Sequence, residues 1–350
     1  MNISFFIGSL RRGGAERVIS NLANYYASKG WNVDICLLID TKIGYEINNK
    51  VRIVDLNVSS GNNAIKTLVW IKKIRQYVRS NKPDRIVSFV GRINMLVLAA
   101  TAGLKSYVIV SERNDPKHDG RGKLTISICN LMYKTADKIV FQTKYEQSCF
   151  SSGIEKKSII IPNPVSVDDT ATRTNHHRVV TAGRLLPQKN HQMLINAIIK
   201  VKKVIPDIIL DIYGEGMLRD KLTAQISDAD ASAYITLRGS VNDLHRRISD
   251  AAVFVMTSEF EGLSNALIEA MMMGLPCIST FYNGIDEVIV NGQNGIVLQT
   301  NSEDELAESI IEILSNEDKS DHFSTEAIKS SQRYKADTVY KMWENVIESH

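Results

Sequence analysis

Hydrophobic positions along the chain cluster into short, partly β-branched runs, separated by glycine-rich or polar turns and by longer segments of helical period. Residues 3–8, 33–39, 85–89, 107–111 and 136–143 form one series of such runs; 178–182, 208–213, 234–237, 253–257 and 276–280 form a second. Runs of this length and composition read as buried strands. Helical segments follow most of them, among them 16–28, 65–79, 190–203, 217–225 and 263–273. The first stops at Lys29-Gly30 and the last at Gly274, both helix-end signals. A capping box from Ser302 to Glu305 opens a helix to about 314. The glycine- and asparagine-rich run 291–295 has the composition of hairpin turns. Two βα series result, joined by a polar stretch, 166–177, that reads as a linker.

A length of 350 residues exceeds one typical core and fits two domains. The apolar and charged fractions, 44% and 23%, are those of an ordinary soluble globular protein. Charge changes the picture more. The net +3 hides 25 Lys and Arg against 12 Asp and Glu in residues 1–165, and 17 against 27 in the remainder. A basic first half suits an anionic partner, either a membrane surface or a phosphorylated lipid. Nucleic acid is not expected, because no recognised nucleic-acid motif is present. Cys36, Cys129, Cys149 and Cys277 are scattered without a C-x-x-C pair, which argues against a zinc site or disulfide framework and fits the reducing cytoplasm. The apolar stretch 3–10 precedes Arg11 and Arg12, the reverse of signal-peptide order, and 95–104 is half a membrane span. Neither export nor a transmembrane segment is expected.

Candidate chemistry concentrates in loops that follow strands, where open α/β sheets bind ligands. Glu261 sits in the turn after the 253–257 run, and Glu269 lies eight residues on, in the helix that starts near Leu263. By spacing alone the pair reads as a dipole-favoured acid and a solvated one. Backbone amides at Gly262, Leu263 and Ser264, at the helix start, suit an anion such as a diphosphate. The loop 183–190 carries Arg184 and Lys189 before another helix; both can reach a diphosphate or remain ordinary surface charges. Gly13 and Gly14 open the first βα loop, without the G-x-G-x-x-G or Gly-Lys-Ser/Thr spacing of nucleotide-binding loops. Gly214-Glu215-Gly216 makes a tight turn after the 208–213 run. Asp228 and Asp230 have D-x-D spacing but read as a surface loop, so no metal site is assigned.

Glu261 to Ala270 resembles the E-x7-E motif of retaining glycosyltransferases of family 4, and the Gly-Arg-Leu-x4-Lys-Asn stretch at 183–190 resembles that family's diphosphate-binding loop. Similar stretches occur in the family's order along nearly the whole chain. The resemblance implies an α/β protein of the GT-B fold, with two Rossmann-like domains facing a central cleft: 1–165 on the acceptor side, 178–328 for the nucleotide-sugar, and 329–350 as a last helix (at 335–348) packing back towards the first domain. It implies that Glu269 holds ribose hydroxyls, that Glu261 holds the donor sugar, and that Arg184 and Lys189 neutralise the leaving diphosphate. The Gly13-Gly14 amides approach that diphosphate, Gly214 and Glu215 form the family's glycine turn, and Val241 meets the base through backbone. Neither metal nor other cofactor is expected.

Acceptor-side candidates are fewer. The loops after 85–89 and 107–111 carry Arg92, Arg113 and Asn114. Arg113 and Asn114 stand where many relatives place a histidine, so Arg113 is expected either to bind an acceptor phosphate or to pair with Asp115. The basic helix 65–79, with Lys72, Lys73 and Arg75, is either a membrane- or pyrophosphate-binding element or a sheet-covering helix with a solvated basic face. With related enzymes in view, the expected reaction moves a hexose or N-acetylhexosamine from a nucleotide-sugar, UDP-linked by resemblance, to a polyprenyl-diphosphate-linked glycan. The expected location is cytoplasmic, peripheral on the inner face of the plasma membrane. The rival readings are an epimerase-like enzyme on the same architecture and an inactive nucleotide-sugar-binding protein at the membrane.

Overall fold

The computed structural model describes residues 1–11, 13–58 and 62–348; Arg12, next to the expected Gly13-Gly14 loop, lies outside them. The chain divides into two units, Met1–Pro164 with Ala336–His350, and Val165–Lys335. Unit 1 runs β1 (Asn2–Ile7), α1 (Gly14–Ser28), β2 (Asn32–Leu37), β3 (Val51–Asp55), α2 (Asn63–Asn81), β4 (Arg85–Phe89), α3 (Gly91–Thr101), β5 (Tyr107–Ser111), α4 (Lys123–Tyr133), β6 (Lys138–Phe141), the short α5 (Lys144–Ser148) and α6 (Ser152–Glu155), and β7 (Ser158–Ile160). Its seven strands lie in the order β3-β2-β1-β4-β5-β6-β7, all parallel.

Parallel sheets are covered on both faces, so their strands are apolar at successive positions. Phe5 and Ile7 of β1 point to a core with Val18, Leu22 and Tyr26 of α1. Phe6, one step out of phase, points to a second core with Trp70 and Ile74 of α2, Val97 of α3 and Tyr133 of α4. The returning helix α13 (Ala336–Ile347) belongs to the first of these cores through Val339, Trp343, Val346 and Ile347. Trp343 stacks on Phe89 at 5.8 Å between centroids. Arg85 Nε donates to the Ile347 carbonyl oxygen at 2.6 Å, which satisfies one of the carbonyls left open at a helix end.

Unit 2 repeats the plan with β8 (Asn175–Ala182), α7 (His191–Val201), β9 (Ile209–Tyr213), α8 (Arg219–Asp228), β10 (Ile235–Gly239), α9 (Leu244–Ile248), β11 (Ala251–Met256), α10 (Asn265–Met273), β12 (Cys277–Ser279), β13 (Ile296–Val297), α11 (Glu303–Ser315) and α12 (Glu317–Ser331). The strand order is β10-β9-β8-β11-β12-β13. Val179 and Val180 of β8 face opposite cores. Both sheets are thus Rossmann-like and doubly wound, with the order reversing beside β1 and β4 in one and beside β8 and β11 in the other. No helix among the described residues is long and apolar enough to cross a membrane.

Several expectations change. The run 166–177 is built into unit 2: Val165 N–H donates to Tyr334 O, Ala171 N–H to Met273 O and Thr172 N–H to Ser249 O. The strand β8 already begins at Asn175. Residues 329–335, expected with the last helix, belong to unit 2. The turns at 291–295 do not form a hairpin, because the strand that follows pairs in parallel with β12. The edge strand β3 and helices α4 and α12 stand where no element was expected.

Candidate active site

At the point of unit 2 where strand order reverses, the loops after β8 and β11 lie side by side, the place where open α/β sheets form ligand crevices. One backbone and two side-chain hydrogen bonds stitch them: Glu259 N–H donates to Gln188 O at 2.8 Å, Gln188 Nε2 to Phe260 O at 2.6 Å, and Thr257 Oγ1 to Lys189 O at 2.9 Å. The consequence is a half-buried ion pair, Lys189 Nζ to Glu261 Oε1, at 2.5 Å. Two residues 72 positions apart become one charge unit. Arg184 in the same loop is exposed, and its side chain has no hydrogen bond or ion pair to any described residue.

The Gly-x-Gly turn after β9 packs on the same loop. Gly183 N–H donates to Tyr213 O, Leu185 N–H to Glu215 O, and Gly214 N–H to Gly239 O, all at 2.9–3.0 Å. A Cβ on Gly214 would lie 1.9 Å from Gly183 O, at a φ of +142° that L side chains rarely adopt; one on Gly216 would lie 2.4 Å from Leu185 O. These glycines are required by the close approach of two backbones. The Glu215 side chain is half exposed and pairs with Arg219 at 2.7 Å, so its part in the turn is played by its carbonyl. Val241, like Leu244 and Ala266, is partly buried and packs against the edge of the core.

His191, the first residue of α7, lies buried beneath this loop. Burial, helped by the Lys189 charge, pulls its imidazole down to about 4, and the nearby Arg184 and Gly183 carbonyls oppose this only weakly. Neither ring nitrogen reaches hydrogen-bond geometry with a described partner, so the ring is a neutral filler under the cations.

Glu269 sits inside α10, 4% exposed. His245 Nε2 of α9 lies 3.2 Å from its Oε2. Gly262 and Leu263 lead into α10 in the turn beyond Glu261, and Ser264 provides no side-chain cap. The helix start therefore offers a positive dipole end on the crevice side. Tyr282, after β12, is buried; burial first and the Glu261 charge second push its phenol well above the usual range. His245, His191, Gln188 and Thr257 were not singled out from sequence. None has a spacing signal, since each acts on a residue that is remote in the chain or through backbone.

Unit 1 carries the acceptor-side candidates, and Arg113, Lys73 and Arg75 differ from expectation. Arg113 is 5% exposed, with its guanidinium carbon 4.7 Å from the Phe89 ring centre and 5.4 Å from that of Trp343. Its Nη1 donates to Asn163 Oδ1 at 2.9 Å. Burial lowers it to about 9, against the pull of the buried Glu146 carboxylate. Arg113 is thus a core cation. It does not pair with Asp115, whose carboxylate meets His118 at 2.6 Å, and it presents no fork to an acceptor phosphate. Lys73 Nζ donates to Asn57 O at 2.6 Å, and Arg75 Nη1 to Ala100 O and Ala102 O at 2.8 Å. Those two cations bind open carbonyls, while Lys72, Arg92 and Asn114 are exposed. Gly13 caps α1 through its backbone, and its N–H donates to Tyr45 Oη at 2.9 Å. Asp228 closes α8, and no cluster of metal-binding side chains occurs among the described residues.

A doubly wound pair of sheets, with a lysine–glutamate pair and a helix N-terminus at one switch point, is an arrangement that can receive an anionic ligand. The comparisons carry this further. Residues 12–169 match the family described as "Glycosyltransferase Family 4" and residues 166–330 that described as "Glycosyl transferases group 1". The chain belongs to this family of GT-B enzymes, as a retaining glycosyltransferase; the family is generally metal-independent. It is 27% identical, over 90% of each chain, to a Campylobacter jejuni enzyme named "N-acetylgalactosamine-N,N'-diacetylbacillosaminyl-diphospho-undecaprenol 4-alpha-N-acetylgalactosaminyltransferase". It is 23% identical, over 97% of each chain, to "Amylovoran biosynthesis glycosyltransferase AmsD" of Erwinia amylovora. Its fold matches Anabaena HepE, solved in complex with UDP, with a TM-score of 0.86 at 17% identity over all of both chains. It also matches the apo form of the lipopolysaccharide outer core galactosyltransferase WaaB, at 0.78 and 18% over 99% of each.

Proposed function

We propose that this glycosyltransferase moves a hexose or N-acetylhexosamine from a UDP-sugar, with retention, to a polyprenyl-diphosphate-linked glycan at the inner face of the plasma membrane. The observation that carries the reading is the Lys189–Glu261 pair at the unit 2 switch point. In the reaction the bond from the anomeric carbon to the diphosphate oxygen breaks, and its electrons leave with the diphosphate. Lys189 and Arg184 neutralise that charge as it develops, the kind of pre-placed electrostatics that lowers a barrier most. Glu261 binds hydroxyls of the sugar while the carbon takes on oxocarbenium character, and Glu269, steadied by His245, holds the ribose. The acceptor hydroxyl attacks from the face the diphosphate leaves, and its proton passes to the departing phosphate oxygen. In unit 1 the Gly14 start of α1 offers backbone amides to an anion, while the Gly13 N–H is taken by Tyr45. The UDP and lipid-linked halves are supported by the names of the relatives above.

The test is nucleotide release from a panel of UDP- and GDP-sugars, with and without polyprenyl-diphosphate sugars, for wild type and Glu261→Ala. Release from one UDP-sugar that needs acceptor and vanishes in the variant is the expected result. Conversion of donor without acceptor would replace transfer by an epimerase-like reaction.

A further inference from the structure

Helices α2, α3 and α4 cover one face of the unit 1 sheet and share one core, and none of the three contains an Asp or Glu. The opposite face differs, since α1 carries Glu16 and α13 carries Asp337 and Glu344. Lys72, Arg79, Arg92 and Lys123 on these three helices are exposed. The acids of the loop leading into α4 are engaged within the fold: Arg121 pairs with Glu112 and Asp119, and the buried Asp115 meets His118. Apart from Glu155 on the short α6, which shares this core, the exposed charges of these helices are positive, set among neutral polar groups and carbon.

The carbon is concentrated on α4. Leu124, Ile128 and Leu131 are 77%, 44% and 68% exposed, and positions i, i+4 and i+7 fall in one stripe along a helix. The other side of α4 holds the core through Cys129 and Tyr133. Helix α2 adds Ile65 and Leu68, 51% and 69% exposed. Three large apolar side chains in one stripe on α4, with two more on α2, exceed singly scattered surface hydrophobics. Two copies of so basic a face would repel each other. Nucleic acid would gain nothing from exposed leucines.

We propose that this face docks on an anionic bilayer, with the α4 stripe entering the headgroup–acyl boundary and the exposed lysines and arginines contacting lipid phosphates. The inference rests on the membrane-surface reading of the preceding section and gives it a location. It moves the anchoring element from Lys73 and Arg75 of α2, which bind backbone carbonyls, to an apolar stripe on α4.

The test is flotation of the full chain with vesicles of phosphatidylglycerol and phosphatidylethanolamine, and separately with phosphatidylcholine alone. Wild type is expected to float with the anionic vesicles and to be released by salt. The L124S/I128S/L131S variant is expected to partition about 100-fold more weakly, with an unchanged melting temperature and unchanged turnover of a water-soluble, short-chain acceptor. Lys72→Glu with Lys123→Glu is expected to weaken binding and flatten its salt dependence, which tests the charge without touching the stripe. The proposal is overturned if wild type ignores anionic vesicles, if binding disregards lipid charge, if the serine variant binds as wild type, or if wild type is a dimer that the serine variant dissociates. Vesicle binding without transfer to any acceptor would sink the enzymatic reading and leave the docking face standing. Transfer without vesicle binding would do the reverse.

Discussion

Lys189 and Glu261 neutralise each other, so a partly buried carboxylate is not left without a partner. A bound donor would give Lys189 a stronger anion and free Glu261 for hydroxyls. Lys189→Ala is accordingly expected to cut the transfer rate about 100-fold or more, since about 2.7 kcal/mol is the usual loss for one such charge donor; single-turnover rates check this, and a near-normal rate would remove Lys189 from the mechanism. His245 acts one step away from the substrate. His245→Ala should raise KM for the donor about tenfold, the worth of one hydrogen bond to a charged group, with a smaller change in kcat, and His245→Gln should recover part of it. His191 gives a pH signature. Its folded form titrates near 4 against an ordinary 6.5, so between those values the unfolded chain takes up a proton that the folded chain refuses. Stability should fall as pH drops through that window, by up to about 3 kcal/mol. His191→Gln should flatten the fall, read from urea midpoints at pH 7 and pH 4.5. Of these residues, only Lys189 and Glu261 were visible in the sequence, through motif resemblance. The imidazoles were not: His191 is a buried ring with no spacing signal, and His245 meets Glu269 only once the chain is folded.

Among the elements, the strands read most easily. Runs such as 253–256 are apolar at every position because helices cover both faces of a parallel sheet, and burial explains such composition. Elements that break this logic were missed. The edge strand β3 is buried mainly at Val51, which leaves too little alternation to see. Helix α4 carries leucines on its exposed side, so its period does not mark one buried face. The Gly-x-Gly turn was legible as a turn but not as a contact. Gly214→Ala would drive a methyl into the Gly183 carbonyl at a φ hostile to L residues, and at least about 2 kcal/mol of stability should be lost. The loss should come with donor binding, since the displaced backbone is that of the Arg184–Lys189 loop; calorimetric titration with UDP and a urea curve measure both.

For the whole molecule, the chain leaves unit 1 after Pro164 and re-enters it at Ala336. Trp343, fully buried against Phe89 and Arg113, is the large side chain that α13 brings back. Trp343→Ala should cost unit 1 about 3–5 kcal/mol and leave unit 2 nearly unaffected, so in scanning calorimetry one transition should fall and the other hold its place. A loss shared equally by both would show that the units unfold together. The return was legible only through resemblance, since an amphipathic helix does not state which sheet it serves.

That return also sets an order of events on the ribosome. Unit 2 is one unbroken stretch and can close as soon as it has emerged. Unit 1 is synthesised first yet must wait for a tryptophan encoded about 180 residues after Pro164, which at about 5–20 residues per second is roughly 10–40 s. Through that interval Phe89 and the α1 face of the first sheet remain without their cover, a nascent surface that chaperones would be recruited to guard.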